Sequence, residues 1–176
     1  MNKEFHFFLK EKIGTIKLTF TLKEKKTVLT RIYLPGTFCV DEKSNDEKKT
    51  EKELINSNRR EINIIKKYID LALSGKNIKI DLRLFDFTGL TKFEKKILIE
   101  LLKYADKDGT ITYKKLGESA GYKNASRAVG NAMSKNPFPV IFPCHRVLRS
   151  DGSIGKFQGG TRLKIKLLRA TGHIQD

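Results

Sequence analysis

The chain has 176 residues, 39% of them hydrophobic and 32% charged, with a formal net charge of +16. That length suits one domain or two small ones with a buried core, and the composition excludes a repeat array, a large multidomain enzyme and a disordered tail. No apolar stretch approaches the roughly 20 residues of a membrane span. The N-terminal MNKEFHFFLKEK carries charges where the apolar region of a signal peptide would sit, so a cytoplasmic protein without membrane contact is expected.

The first 40 residues carry strand signals. EFHFFL is followed by TIKLTFTL, where Ile16, Leu18, Phe20 and Leu22 alternate with polar positions, and then by TVLTRIYL. An antiparallel meander is expected. The Lys/Glu-rich stretch 41–53 reads as a solvated loop or helix end. From Asn56 to Leu73 the residues Ile62, Ile65, Ile69 and Leu73 follow helical spacing, with Gly75 placed to end the helix in a left-handed conformation.

A second unit starts at Thr91, where Thr91 and Glu94 form a capping box ahead of a helical face of Phe93, Ile97, Leu98, Leu101 and Leu102. After a turn at 106–109 come two short helices, TYKKLGESA and NASRAVGNAMSK, led by Thr112 and Asn124 as caps and separated by a turn at Gly121. This is the pattern of a helix-turn-helix. Small residues on the second helix (Ala125, Ala128, Gly130, Ala132) suit close approach to another surface, although helix-on-helix packing explains them equally well. Val140, Ile141 and Phe142 read as a buried strand, and TRLKIKLLRA (161–170) as an amphipathic C-terminal helix. The fold class expected is α+β: an antiparallel sheet with a helix in an N-terminal domain of structural role (1–88), then a mostly helical C-terminal domain with the helix-turn-helix (89–176).

Charge divides along the same line. Residues 1–110 carry net +7, whereas residues 111–176 hold 12 basic side chains against three acidic ones (Glu118, Asp151 and Asp176), net +9 in just over a third of the length. A polyanion-binding surface is therefore expected in the C-terminal part. The two cysteines, Cys39 and Cys144, form no CxxC, and the three histidines are His6, His145 and His173. Neither a disulfide framework nor a structural zinc site is readable. Cys144 stands next to His145 and Arg146, a setting in which a thiolate is expected to be stabilised below the usual pKa of roughly 8.5. Neighbouring side chains on a strand point to opposite faces, so contact between Cys144 and His145 requires a turn or a bridging water.

The motif Pro143-Cys144-His145-Arg146-Val147 resembles the active site of the O6-alkylguanine-DNA alkyltransferase family. Asn136-Pro137-x-Pro139, the helix Arg127-Ala128-Val129-Gly130, the start Thr112-Tyr113 and the pair Gly159-Gly160 stand at matching spacings. The resemblance covers residues 86–176; residues 1–85 match only in general character. It implies a DNA repair protein that transfers an alkyl group from the O6 of guanine in double-stranded DNA irreversibly to Cys144, one lesion per molecule, after flipping the base out through the minor groove. O4-alkylthymine is a further candidate lesion. By the same resemblance His145 acts as base on the thiol through water and Tyr113 donates a proton to the departing guanine. Arg127, with Ala125, Ser126 and Asn136, belongs to the DNA-binding set, Arg127 filling the gap in the base stack and Asn136 bracing the active-site turn. Val147, Phe157, Gln158 and Met133 line the base pocket. A monomer without metal or organic cofactor is implied.

Two positions depart from the family pattern. Thr171 stands where the family has a glutamate that hydrogen-bonds the catalytic histidine; either the threonine accepts from the imidazole without supplying charge, which weakens thiolate formation, or another carboxylate such as Asp176 substitutes. Phe157 stands where many relatives have tyrosine, which removes a phenol hydroxyl but keeps a ring that can stack. The competing functions are a noncatalytic binder of alkylated DNA, against which Cys144 argues, and a Cys-His hydrolase, which lacks a visible Asn or Asp partner and leaves the basic helices unexplained.

Overall fold

The computed structural model describes residues 4–39, 44–76, 79–105 and 109–175. The alternating N-terminal runs form three antiparallel strands in chain order, β1 (Glu4–Glu11), β2 (Gly14–Lys23) and β3 (Lys26–Tyr33). Their register pairs Phe5 with Phe20 and Leu18 with Ile32, with a bulge between Thr19 and Phe20. The inner face buries Phe5, Ile16, Leu18, Phe20, Leu29 and Ile32, each such side chain contributing roughly 1.5–3 kcal/mol of transfer free energy.

Two helices follow. In α1 (Asn45–Ser57) Ser44 and Glu47 cap each other reciprocally, and no residue of the helix is buried. The charged stretch from 45 onward is thus a helix rather than a loop, stabilised locally by its cap and its polar surface; positions 41–43 lie outside the described residues. The next helix, α2 (Arg59–Leu73), buries Ile62, Ile65, Ile69 and Leu73 and starts three residues later than the sequence pattern suggests. Gly75 ends it with φ +69°.

In the C-terminal half, α3 (Lys92–Ala105) begins at the expected Thr91–Glu94 box: Glu94 accepts from the Thr91 backbone and hydroxyl, and Thr91 Oγ1 from the Glu94 N–H. The turn expected at 106–109 lies mostly outside the described residues. The short strand β4 (Ile111–Thr112) leads into α4 (Tyr113–Ser119), capped by Thr112, and then α5 (Ser126–Ser134). Asn124 does not cap α5. It adopts a left-handed conformation (φ +56°) in the turn, and Ala125 occupies the cap position without a side-chain bond. Strand β5 (Val147–Leu148) and helix α6 (Gly160–Ala170) complete the chain.

Residues 140–142 are buried but form no strand. They lie in a series of turns with Val140 at φ +77°, a costly conformation for a β-branched residue. An apolar run signals burial, and burial alone does not distinguish a strand from a packed turn. Here the outer edge of β3 does the holding: Ile32 N–H donates to the Pro137 carbonyl at 2.8 Å, and Leu29 accepts from Asp86 N–H at 2.9 Å. Phe85, Phe87, Phe138 and Phe142 pack edge-to-face or tilted across this junction, with centroids 5.1–6.4 Å apart. The apolar core consequently runs without interruption from the sheet into the helical half.

Candidate active site and nucleic-acid interface

Parallel pairing of β4 with β5 matches Ile111 to Val147 and Thr112 to Leu148. It brings Tyr113, first residue of α4, next to the segment that carries Cys144. Residues Cys144–Arg146 form a single 3-10 turn rather than the end of a strand, and the turn sends the Cys144 and His145 side chains to different cavities with no hydrogen bond between them. The turn is anchored by Arg146, whose Nε donates to the Gly109 carbonyl at 2.9 Å.

Asn136 holds the turn from beneath. Its amide nitrogen donates to the Phe142 carbonyl at 2.8 Å and to Cys144 Sγ at 3.2 Å, and its oxygen accepts from Phe138 N–H at 3.0 Å. Both ends of this buried amide are therefore occupied within the loop it closes.

Cys144 Sγ faces a cleft of about 540 Å³ lined by Tyr113, Ser126, Arg127, Gly130, Asn131, Met133, Ser134, Arg149, Gly155, Lys156, Phe157 and Gln158. One wall comes from α4 and α5, the other from the loop between β5 and α6. Gly155 (φ +65°) belongs to the close part of this wall, since a Cβ there would stand 3.4 Å from the Tyr113 hydroxyl. Arg127 is exposed at the rim, while Met133 is buried behind it.

Of the residues singled out in the sequence, the cleft joins Cys144, Tyr113, Ser126, Arg127, Met133, Phe157 and Gln158. Four lie outside its lining. Ala125 precedes α5, Asn136 is buried under the turn, and Val147 is buried with its carbonyl accepting from Lys164 Nζ at 2.6 Å. His145 lies behind the cysteine. It lines a second, much smaller cavity with Gly75, Lys76, Arg146 and Thr171.

The thiol is not depressed as its basic neighbours suggest. Cys144 is 3% exposed, and burial pushes its pKa up to about 11, against the opposing influence of the Asn136 amide and the Lys164 charge. Burial likewise favours neutral His145, 1% exposed, whose pKa falls to about 3, with Arg146, His173 and Lys164 acting in the same direction. The Tyr113 hydroxyl is held protonated by burial and by the nearby Cys144, with Arg149 opposing. The site at rest is thus an uncharged thiol, imidazole and phenol.

Sequence reasoning passed over Lys164, treating it as part of an amphipathic helix. It is 0% exposed, and its Nζ donates to the carbonyls of Val147 (2.6 Å) and Ile154 (2.5 Å) and lies 5.9 Å from the Tyr113 ring centroid. A lysine among Leu163, Leu167 and Leu168 on the inward side of α6 was the available signal. Arg149, Lys156, Asn131 and Ser134 were also missed, since nothing in their local sequence marks them as cleft residues.

Residues 92–173 match the DNA-binding domain of 6-O-methylguanine DNA methyltransferase. The chain is 39% identical over 111 residues to the methylated-DNA–protein-cysteine methyltransferase of Methanothermobacter thermautotrophicus, covering 61% of each protein. It is 43% identical over 81 residues to the human protein of that name, covering 46% of this chain and 39% of the human one. The matched stretches thus span less than two thirds of these relatives. The fold is similar to that of the Mycobacterium tuberculosis OGT solved in complex with DNA (TM-score 0.64, 22% identity, 94% of this chain and 92% of that one). It is equally similar to O6-methylguanine-DNA methyltransferase from Pyrococcus kodakaraensis (TM-score 0.63, 24% identity, 97% and 99%). With the Pro-Cys-His-Arg-Val turn seated at the cleft and the matched segment carrying it, the C-terminal half of the chain is similar to the DNA-binding domain of 6-O-methylguanine DNA methyltransferase.

Proposed function

We propose that this protein repairs duplex DNA bearing O6-alkylguanine by moving the alkyl group irreversibly to Cys144. The observation that carries the reading is a buried thiol on the wall of a cleft large enough for one extruded base, with Tyr113 beside it and exposed Arg127 at its mouth. An alkylated base hides its reactive carbon in the helical stack, so extrusion at a cost of a few kcal/mol precedes chemistry. Arg127 occupies the gap left in the stack, while Ser126 and the residues around Ala125 bring α5 against the backbone. This is a minor-groove mode of binding without sequence readout, for which a net charge of +16 supplies the affinity.

Within the pocket the base lies against Met133, Phe157 and Gln158, with the Val147 backbone behind them. The sulfur–carbon bond forms as the carbon–oxygen bond breaks. The thiol proton passes through water to His145, and Tyr113 gives a proton to the guanine that receives the electron pair. The product is a thioether, which has no carbonyl for water to attack, so each molecule acts once. Asn136 positions the sulfur, and residues 1–88 serve as scaffold for the reactive half, 89–176. The acting unit in this reading is a cytoplasmic monomer, and O4-alkylthymine is a second lesion of the same chemistry.

The test is intact-mass spectrometry after incubation with an O6-methylguanine duplex. One addition of about 14 Da that saturates at one per molecule and is absent in Cys144→Ala is the expected outcome. An unmodified wild type that still binds the lesion favours the noncatalytic binder of alkylated DNA.

A further inference from the structure

His145 is buried with neither ring nitrogen in a hydrogen bond. A buried imidazole in that state costs free energy and leaves its tautomer unset, so a partner is to be sought in whatever space it borders. That space is a cavity of about 20 Å³ lined by His145 and Thr171, close to what a single water requires.

The far side of the cavity is rigidly built. Helix α6 closes with Gly172 N–H donating to the Arg169 carbonyl and His173 N–H to the Leu168 carbonyl, which fixes Thr171 and His173 in one arrangement. Thr171 Oγ1 donates to the Leu167 carbonyl at 2.8 Å and lies 2.8 Å from His173 Nδ1. Donation to the Leu167 carbonyl, with the Leu168 carbonyl 3.3 Å away, leaves the hydroxyl two lone pairs, enough to accept from a protonated His173 Nδ1 and from a donor in the cavity that Thr171 lines. Gly75 allows this packing, since a Cβ there would approach the Thr171 carbonyl oxygen to 2.9 Å.

We propose that Thr171 is the positioning residue for His145: through one water in the shared cavity its hydroxyl accepts from the imidazole N–H, and His173 holds that hydroxyl in place. This rests on the alkyl-transfer reading above and assigns the residue that readies the base. The charged groups around the ring are Arg146 of its own turn, Lys164 of α6, Lys76 after α2 and His173, all cationic when protonated. A neutral hydroxyl bond therefore orients the ring without adding charge, leaving the other nitrogen free to take the thiol proton.

The experiment combines single-turnover methyl transfer from an O6-methylguanine duplex with ¹⁵N spectra of the His145 ring, in wild type, Thr171→Val, Thr171→Ser, His173→Phe and the Val/Phe double variant. Thr171→Val is expected to slow transfer roughly tenfold, part of what a general base supplies, and to move the ring signals, with the Kd for lesion DNA within about twofold of wild type. Thr171→Ser should restore the rate. The double variant should be no slower than Thr171→Val, because both changes break one chain. Wild-type rate and unmoved ring signals in Thr171→Val would overturn the proposal, as would a ring shift produced by Asp176→Asn instead. Absence of transfer in the wild type overturns the repair reading, and the ring spectra then decide the His145–Thr171 link alone.

Discussion

A lysine without solvent contact is stable only where its charge and its N–H groups are engaged, and Lys164 joins β5 to the cleft loop through two carbonyls and stands 5.9 Å from the Tyr113 ring centroid. Desolvation lowers its pKa to about 8, so the side chain is still mostly cationic at pH 7, where it favours the Cys144 thiolate. Thus a single residue sets the shape of the pocket and contributes to the electrostatics of the nucleophile. Replacing it by methionine keeps the apolar stem but leaves both carbonyls without this donor and removes the charge. Lys164→Met is expected to lose roughly 3 kcal/mol of stability in urea unfolding, the size of two hydrogen bonds to a charged donor. At a temperature where the variant remains folded, alkylation of Cys144 should slow roughly tenfold, equivalent to one pKa unit on the thiol. An unchanged alkylation rate would show that the lysine serves packing alone.

At the scale of elements, the start of α3 is tied to the end of α5 by one carboxylate. Glu94 closes the Thr91 cap and accepts from Lys135 Nζ at 2.7 Å, and these bonds, the Lys135 one foremost, hold its pKa down at about 2. A carboxylate depressed from 4.5 to about 2 contributes stability that is complete above pH 4.5 and is lost as pH falls toward 2. His145, buried in its neutral form, adds a loss of the same sign that begins higher, as pH falls from 6.5 toward 3. Urea midpoints should therefore decline from about pH 6.5 downward in the wild type. In Glu94→Gln, which can still close the cap, the decline between 6.5 and 4.5 should persist while the part below 4.5 becomes shallower, the His145 loss alone continuing toward pH 3. The same scale shows what was legible in the sequence. The three strands were readable from their alternation and α2 from its helical period, while at α3 period and cap agreed. Helix α1 was not, since it buries nothing, although Ser44 and Glu47 spelled its cap. The turn around Val140 was misread because a buried apolar run has no period of its own. Cleft residues around Cys144 were legible through motif, but the raised thiol and the burial of Lys164 depend on neighbours distant in the chain.

For the whole molecule, the excess of positive charge and the cleft lie in the same half, but the charges at the cleft differ in what they are placed to do. Arg149 and Lys156 are exposed on the loop wall, which the proposed function assigns to the phosphate backbone, whereas Arg127 sits at the first turn of α5 over the opening of the cleft. A side chain that neutralises a phosphate releases a counterion, and each such contact contributes about 0.9 to the slope of log K against log salt. One that fills a gap in the base stack acts on base extrusion instead. Lys156→Ala and Arg149→Ala are accordingly expected to weaken binding of lesion and undamaged duplexes alike and to reduce the salt slope by about one each. Arg127→Ala should leave the slope and the undamaged-duplex affinity nearly unchanged, yet slow methyl transfer from double-stranded DNA tenfold or more, the equivalent of a few kcal/mol of unstacking no longer offset. Transfer from a single-stranded O6-methylguanine oligonucleotide, where no stack has to be opened, should then be close to wild type in that variant. A salt slope that falls by one in Arg127→Ala would place the arginine on a phosphate and remove it from the opening of the stack.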